Sequence, residues 1–280
     1  MKKILVLTLT FLFSLMVTAQ DKENLTIQGS KGRLAAVIQK PQLQDGERCD
    51  MVMILHGFTA SKEMPLLQYI ADSLQTKGIA SIRFDFNGHG KSEGDFQKMT
   101  VLNEIEDAKA VYNYVSSLPW VRSVSIVGHS QGGVVASMTA GELGTDHVTS
   151  LVLLAPAAVL REDAIRGNTQ GATYNPLDPP EYVELRGGLR LGRDYIKTAF
   201  SLPIYETAAH YQGPACMIHG TGDTIVPYTY SLRYDEKYQH SELHLLEGYD
   251  HGFSQNTIHA ATLAVDFIVR QLKYASISHL

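Results

Sequence analysis

The chain has 280 residues, of which 44% are hydrophobic, and its formal net charge is −5 at pH 7. This length and composition are sufficient for a large buried core in one domain, or in one domain with an insertion. The acidic balance argues against nucleic acid as a partner, because phosphate binding requires a basic face.

The N-terminal segment differs in composition from the rest of the chain. Two lysines precede an apolar stretch, residues 4–17, and the small residues that follow fit a cleavage site before Gln20. We therefore predict that residues 1–19 are a secretory signal peptide, and that residues 20–280 form a periplasmic or secreted domain with no membrane partner after cleavage. The stretch is short for a membrane span, so an uncleaved anchor is the weaker alternative. A disulfide between Cys49 and Cys216 is possible in such a compartment but not favoured, because Cys216 lies in an apolar stretch.

Beyond this segment, short apolar stretches alternate with helical patterns. Apolar or β-branched stretches predict strands over 33–38, 51–55, 79–84, 124–127, 151–154, 215–218 and 243–246. Helical patterns lie over 64–76, 101–115, 133–143, 228–238 and 258–272. This alternation predicts an α/β fold with a mainly parallel, doubly wound sheet. Residues from 157 to about 212 interrupt it with clustered glycine and proline, and we predict a functional insertion over the edge of the sheet that carries the site.

Ser130 lies at a corner between a predicted strand and a predicted helix. It is the centre of the sequence Gly128-His129-Ser130-Gln131-Gly132, which matches the G-x-S-x-G nucleophile elbow. Such a turn strains the serine backbone and presents its hydroxyl at the carboxyl edge of the sheet, while the glycines let strand and helix cross closely. A tight turn with an exposed serine is the alternative interpretation of the pattern.

A serine hydroxyl is a poor nucleophile unless a base takes its proton and an acid orients that base. In this type of site the acid and then the base follow the serine along the chain. Asp223 follows the predicted strand at 215–218, and His251 follows the one at 243–246. We therefore predict a catalytic triad of Ser130, His251 and Asp223. Asp250 competes for the acid role, but a sequence neighbour of His251 would rarely reach its Nδ1.

The tetrahedral intermediate of such a reaction needs two backbone N–H donors. We predict those of Gln131, directly after the nucleophile, and of Phe58, in the loop after the strand at 51–55. His56 is expected to hold this loop by hydrogen bonds. The other histidines, His89, His129, His210 and His219, have no evident metal-ligand spacing and are expected to be structural or surface groups. The predicted reaction needs neither a metal nor a cofactor.

From about residue 25 to 275 the chain resembles the α/β-hydrolase superfamily, because "LHGF", "RFDFNGHGKSEG", "GHSQGG", "HGTGDTIVPY" and "DHGF" occur in its order. The segments "LAPAAVLREDAIRGNTQGATYNP", "LGRDYI" and "LPIYETA" are similar to the bacterial cinnamoyl (feruloyl) esterases. In those enzymes an insertion between strands six and seven forms a small lid. The resemblance implies the α/β-hydrolase fold, with the insertion at about 157–212 as this lid.

The resemblance also implies residue roles. The triad predicted above matches the catalytic residues of the superfamily. In the feruloyl esterases the lid makes polar contacts to the ring hydroxyl of a hydroxycinnamoyl group, and the matching positions here are Asp163, Gln170 and Tyr195. A flat aromatic acyl group requires an apolar slot with a few polar groups at its far end.

We therefore expect a serine carboxylesterase that releases hydroxycinnamates such as ferulate through an acyl-enzyme. Its substrate would be a small-molecule or polysaccharide-linked aromatic ester. A short-chain acyl esterase, an acylglycerol lipase or a serine peptidase on the same fold is the alternative. A binding protein on a hydrolase scaffold is a further alternative, which the intact triad disfavours.

Overall fold

The structure is a computed structural model that describes residues 21–278. The predicted signal peptide, residues 1–19, lies outside the described residues. None of the helices in the described range combines the length and the apolar character needed to span a bilayer.

Eight strands form one large sheet. They are β1 (Asp21–Gly29), β2 (Gly32–Lys40), β3 (Cys49–Leu55), β4 (Ala80–Phe84), β5 (Val121–His129), β6 (Leu151–Leu154), β7 (Ala215–Gly220) and β8 (Ser241–Leu246). Their spatial order is β1-β2-β4-β3-β5-β6-β7-β8. β2 pairs antiparallel with β1 and β4, and all other neighbours are parallel. The predicted α/β-hydrolase fold with a mainly parallel sheet is confirmed.

Helices cover both faces of the sheet. The helices are α1 (Pro65–Thr76), α2 (Val101–Ser116), α3 (Gln131–Leu143), α4 (Val159–Arg166), α5 (Arg193–Phe200), α6 (Ile204–Ala208), α7 (Thr229–Asp235) and α8 (Thr257–Ser278). On β3, Val52 and Ile54 belong to the core cluster formed with α1 and α8, whereas Met51 and Met53 belong to the cluster formed with α2 and α3. Because successive side chains of a strand point to opposite faces, burial on both faces makes this strand almost wholly apolar.

Strand β1 precedes the first strand predicted from the sequence, at 33–38, and was not predicted. It is an edge strand that forms a hairpin with β2, and most of its described side chains are exposed or half-buried. A polar edge strand lacks the continuous apolar pattern of the central ones, so its sequence, "DKENLTIQG", gives little signal.

The insertion between β6 and β7 is confirmed, and it has secondary structure of its own. It contains α4, α5 and α6 together with two short antiparallel pairs. These pairs join 168–169 to 172–173 and 182–184 to 190–192. The sixth and seventh strands of the sheet in chain order therefore flank the lid.

Both cysteines are free and buried. Cys49 lies on β3 and Cys216 on β7, and three strand spacings separate these strands, roughly 14 Å. Disulfide formation requires Cα atoms less than about 7 Å apart, so Cys49 and Cys216 do not form the disulfide considered above.

Candidate active site

Ser130 joins the end of β5 to the start of α3 in a strained backbone conformation. Its φ is +57° and its ψ is −125°, values that non-glycine residues rarely adopt. A Cβ on Gly128 would lie 2.1 Å from the carbonyl oxygen of Gly132, and a Cβ on Gly132 would lie 2.3 Å from that of His56. The elbow glycines are therefore required by close contacts with neighbouring backbone.

His251 and Asp223 converge on Ser130. The Ser130 hydroxyl lies 2.9 Å from His251 Nε2, and His251 Nδ1 lies 2.7 Å from Asp223 Oδ2. An ionised carboxylate only accepts hydrogen bonds, so Nδ1 carries a proton, and Nε2 of the neutral ring is free to accept the serine proton. The structure thus brings together the three predicted triad residues from three separate loops.

Asp223 is fully buried and surrounded by donors. Its Oδ1 accepts hydrogen bonds from the backbone N–H groups of Ile225 and Val226, both at 2.8 Å. Its Oδ2 lies 3.2 Å from His219 Nε2 in addition to its bond with His251. Burial by itself would raise the pKa of Asp223, but the hydrogen bonds from His219 and His251 outweigh burial and hold this pKa well below its ordinary value.

His219 also belongs to this site, whereas its sequence context predicts only a structural or surface group. It is fully buried on β7, four residues before Asp223. Its Nε2 faces two acceptors, Asp223 Oδ2 and the Val226 carbonyl at 2.9 Å, so this nitrogen carries a proton. Its Nδ1 lies 2.7 Å from the Ser231 hydroxyl. The sequence does indicate this role in one way, because His219 lies at the end of the strand that Asp223 follows.

His129 holds the loop of the base. Its Nε2–H donates to the backbone carbonyl of His251 at 2.9 Å, and the two rings lie 5.0 Å apart. Burial lowers the pKa of His129 to about 3, so the ring stays neutral. The residue before the nucleophile thereby fixes the backbone of the base.

Asp250, the competing acid, does not contact the imidazole of His251. Its carboxylate instead accepts hydrogen bonds from the N–H groups of Gly252 at 3.1 Å and Ser254 at 2.8 Å, and from the Ser254 hydroxyl. These are local bonds that close a turn of the loop.

The backbone N–H groups predicted for the oxyanion belong to residues beside the nucleophile. Phe58 and Gln131 line a cavity together with Ser130, and within residues 21–278 neither N–H donates to another protein group. His56 Nδ1 donates to the Gly57 carbonyl at 2.8 Å, and its Nε2 accepts from the Phe86 N–H at 3.1 Å. These bonds hold the loop, in agreement with the role expected for His56.

The side chain of Gln131 is fixed by a buried network. Its Oε1 accepts a hydrogen bond from the Tyr195 hydroxyl at 2.7 Å, and its Nε2 donates to Glu104 Oε2 at 2.8 Å. Burial raises the pKa of Glu104 to about 8. Glu104, on α2, was not predicted as a site residue, because nothing in the sequence near it indicates contact with the elbow.

Two cavities meet at Ser130. The inner one, of about 30 Å³, is bounded by the predicted lid residues Asp163, Gln170 and Tyr195. The outer one, of about 470 Å³, is bounded by Gln170 and His251 among others. All three lid residues therefore border the cavity that Ser130 also lines. Burial raises the pKa of Asp163 to about 6, so this carboxyl is mostly ionised at neutral pH.

A larger cavity, of about 870 Å³, lies elsewhere in the described part of the chain. It is bounded by Asp50, Tyr112, His147 and Leu272 among others, and by none of the predicted catalytic residues. Volume alone therefore does not locate the chemistry, and we place the site at Ser130.

Comparisons with known proteins agree with this fold. Residues 46–174 match the family model of the serine aminopeptidases, S33. The rat mitochondrial palmitoyl-protein thioesterase ABHD10 is 22% identical in an alignment of 240 residues that covers 79% of this chain and 75% of that protein. The mouse protein of the same name is 24% identical over 230 residues, with the same coverage.

Solved structures include closer likenesses. Est1E from Butyrivibrio proteoclasticus with ferulic acid bound superposes with a TM-score of 0.85 at 27% identity, covering 89% of this chain and 99% of that one. A second Est1E structure gives a TM-score of 0.81 at 25% identity, with the same coverage. The chain therefore has the α/β-hydrolase fold, and it resembles the serine esterases of that fold, the feruloyl esterases among them.

Proposed function

We propose that this protein is a carboxylesterase that hydrolyses hydroxycinnamate esters such as those of ferulate. The observation that carries the proposal is the presence of three polar lid residues, Asp163, Gln170 and Tyr195, on the cavity that contains the Ser130 hydroxyl. The likeness to Est1E with ferulic acid bound extends over the lid, which supports the same class of acyl group.

The triad supplies the chemistry. Ser130 attacks the ester carbonyl while His251 Nε2 takes its proton, and the Asp223 carboxylate stabilises the imidazolium that forms. The N–H groups of Phe58 and Gln131 bind the oxyanion. His251 then gives the proton to the leaving alcohol, and a water activated by the same imidazole hydrolyses the acyl-enzyme.

The inner cavity binds the acyl group in this proposal. An ionised Asp163 accepts a hydrogen bond from the ring hydroxyl, and the phenolic oxygen of Tyr195 has a lone pair left after its bond to Gln131. Phe58 and Tyr195, whose rings lie 5.7 Å apart, supply aromatic walls. Because the cavity is only about 30 Å³, an aromatic ring enters only when a side chain of its wall moves.

That small volume makes a short-chain acyl esterase the second candidate. The two functions are separated by comparing kcat/KM for methyl ferulate, p-nitrophenyl butyrate and an aminoacyl amide. We expect the ferulate ester to be preferred, and negligible turnover of it beside rapid turnover of the butyrate would contradict the proposal.

A matched pair of substrates tests the role of the lid. Methyl ferulate should be preferred over the analogue whose ring hydroxyl is O-methylated and so cannot donate a hydrogen bond, and Asp163→Asn should reduce that preference. An unchanged preference in Asp163→Asn would remove Asp163 from the acyl site while leaving the esterase assignment intact.

The proposal includes export from the cytoplasm, with residues 1–19 removed. N-terminal sequencing of the protein recovered from the periplasm or the medium should begin at Gln20. Recovery of the intact N-terminus in the cytoplasm would contradict it.

A further inference from the structure

The two cavities at Ser130 take different parts of an ester. His251 lines the outer cavity and is not among the residues that line the inner one. When the acyl-enzyme forms, the departing alkoxide receives its proton from His251 Nε2. The alcohol part of the substrate must therefore lie on the side of His251, in the outer cavity, with the acyl part in the inner one.

Arg186 is the residue with a permanent charge on the outer cavity. The other lining residues are neutral groups and the histidine of the triad, namely Phe58, Thr59, Ser130, Gln170, Leu185, Ile225 and His251. Among the described residues, no carboxylate lies within ion-pair distance of Arg186, whereas Arg161 pairs with Glu206 and Arg190 with Glu184. The guanidinium of Arg186 is therefore a cation available to a substrate.

The lid turn that carries Arg186 keeps this side chain exposed. Gly187 and Gly188 follow it with φ values of +89° and +82°, and a Cβ on either glycine would meet no atom within 4 Å. The turn lies between the short strands 182–184 and 190–192 and has open space around it. An arginine here reaches an alcohol group in the outer cavity without first breaking a protein contact.

We infer that Arg186 selects substrates whose alcohol part carries a carboxylate, an inference that rests on the proposed esterase function. A guanidinium and a carboxylate form two parallel hydrogen bonds as well as an ion pair. An exposed pair of this kind is weak and screened by salt, so the expected preference is roughly two- to fivefold at low ionic strength. The chain's net charge of −5 would otherwise disfavour an anionic substrate.

The test uses two substrates that differ in charge and hardly in size, the feruloyl esters of γ-hydroxybutyrate and of γ-hydroxybutyramide. The measured quantity is the ratio of their kcat/KM values at low and high salt. We expect wild type to favour the anionic ester, Arg186→Gln to lose this preference and Arg186→Glu to reverse it. Arg190→Gln is the matched control, because it removes the same charge from the same hairpin but lies off the cavity, and it should keep the wild-type ratio.

An unchanged ratio in Arg186→Gln would overturn the inference, and so would an equal loss in Arg190→Gln, which would indicate a general effect of net charge. The corresponding butyryl esters separate this outcome from a failure of the proposed function. If only the butyryl esters are hydrolysed, the feruloyl assignment fails. The ratio of kcat/KM for the anionic and the neutral butyryl ester then tests the role of Arg186. If neither pair is hydrolysed, both proposals fail.

Discussion

Asp223→Asn is the substitution whose effect follows most directly from the hydrogen bonds of the site. The Asp223 carboxylate accepts from four donors, the N–H groups of Ile225 and Val226 at one oxygen and the ring nitrogens of His219 and His251 at the other. An asparagine has one acceptor oxygen and one NH₂ group, which only donates. In either orientation the NH₂ group therefore faces two other donors, either the two backbone N–H groups or the two histidine nitrogens.

The two orientations have different costs. With its NH₂ group toward the backbone, the asparagine leaves the buried Val226 N–H and the part-buried Ile225 N–H without an acceptor, and the loss at Val226 alone costs roughly 1–3 kcal/mol of stability. With its NH₂ group toward the histidines, His251 Nδ1 has to accept, the proton moves to Nε2, and the ring no longer takes the Ser130 proton. The change from Asp to Asn in a triad lowers kcat by about 10⁴ through this wrong tautomer.

The assay is kcat and kcat/KM with methyl ferulate, together with urea unfolding to separate the loss of activity from the loss of stability. Asp250→Asn is the control, because its half-buried carboxylate only closes a local turn, and it should change kcat by no more than about twofold. The reasoning is refuted if Asp223→Asn keeps kcat within tenfold of wild type and also keeps the wild-type free energy of unfolding, or if Asp250→Asn is equally impaired.

Two further predictions concern the residues around the triad. Burial raises the pKa of Glu104 from 4.5 to about 8, so between these pH values the folded state holds a proton that the unfolded state has lost. The free energy of unfolding should therefore fall as pH rises from about 4.5 to 8, by about 5 kcal/mol in total, and Glu104→Gln should remove this component, as measured by urea unfolding at pH 5 and pH 9. If the free energy of unfolding changed with pH in the same way in wild type and in Glu104→Gln, the prediction would be contradicted. His129→Leu removes the hydrogen bond to the His251 carbonyl and should lower kcat about fivefold with little change in KM. His129→Gln should restore part of the lost kcat. A wild-type kcat in the leucine variant would exclude the anchoring role of His129.

The parts of this molecule that follow from sequence are those set by local geometry or by strand order. The central strands were recognisable because burial on both faces makes them continuously apolar, as in β3. Ser130 was recognisable because its turn excludes any Cβ at Gly128 and Gly132. Asp223 and His251 could be assigned because the carboxyl ends of neighbouring parallel strands meet at one edge of the sheet.

The remaining site residues depend on contacts between segments far apart in the chain. Glu104 is an ordinary helix residue in sequence, and its contact with Gln131 exists only because α2 packs beside α3. The bond from His129 to the His251 carbonyl likewise joins the end of β5 to a loop far away in the chain. Such contacts leave no short pattern in the sequence, so only the three-dimensional structure reveals them.

The most direct test is detection of the acyl-enzyme. The protein is mixed with methyl ferulate, quenched in acid within the first turnovers, digested and analysed by mass spectrometry. A feruloyl group should appear on the peptide that contains Ser130 and be absent in Ser130→Ala, which should also lose turnover. Hydrolysis by Ser130→Ala at the wild-type rate, or a feruloyl adduct on a different residue, would contradict nucleophilic catalysis by Ser130.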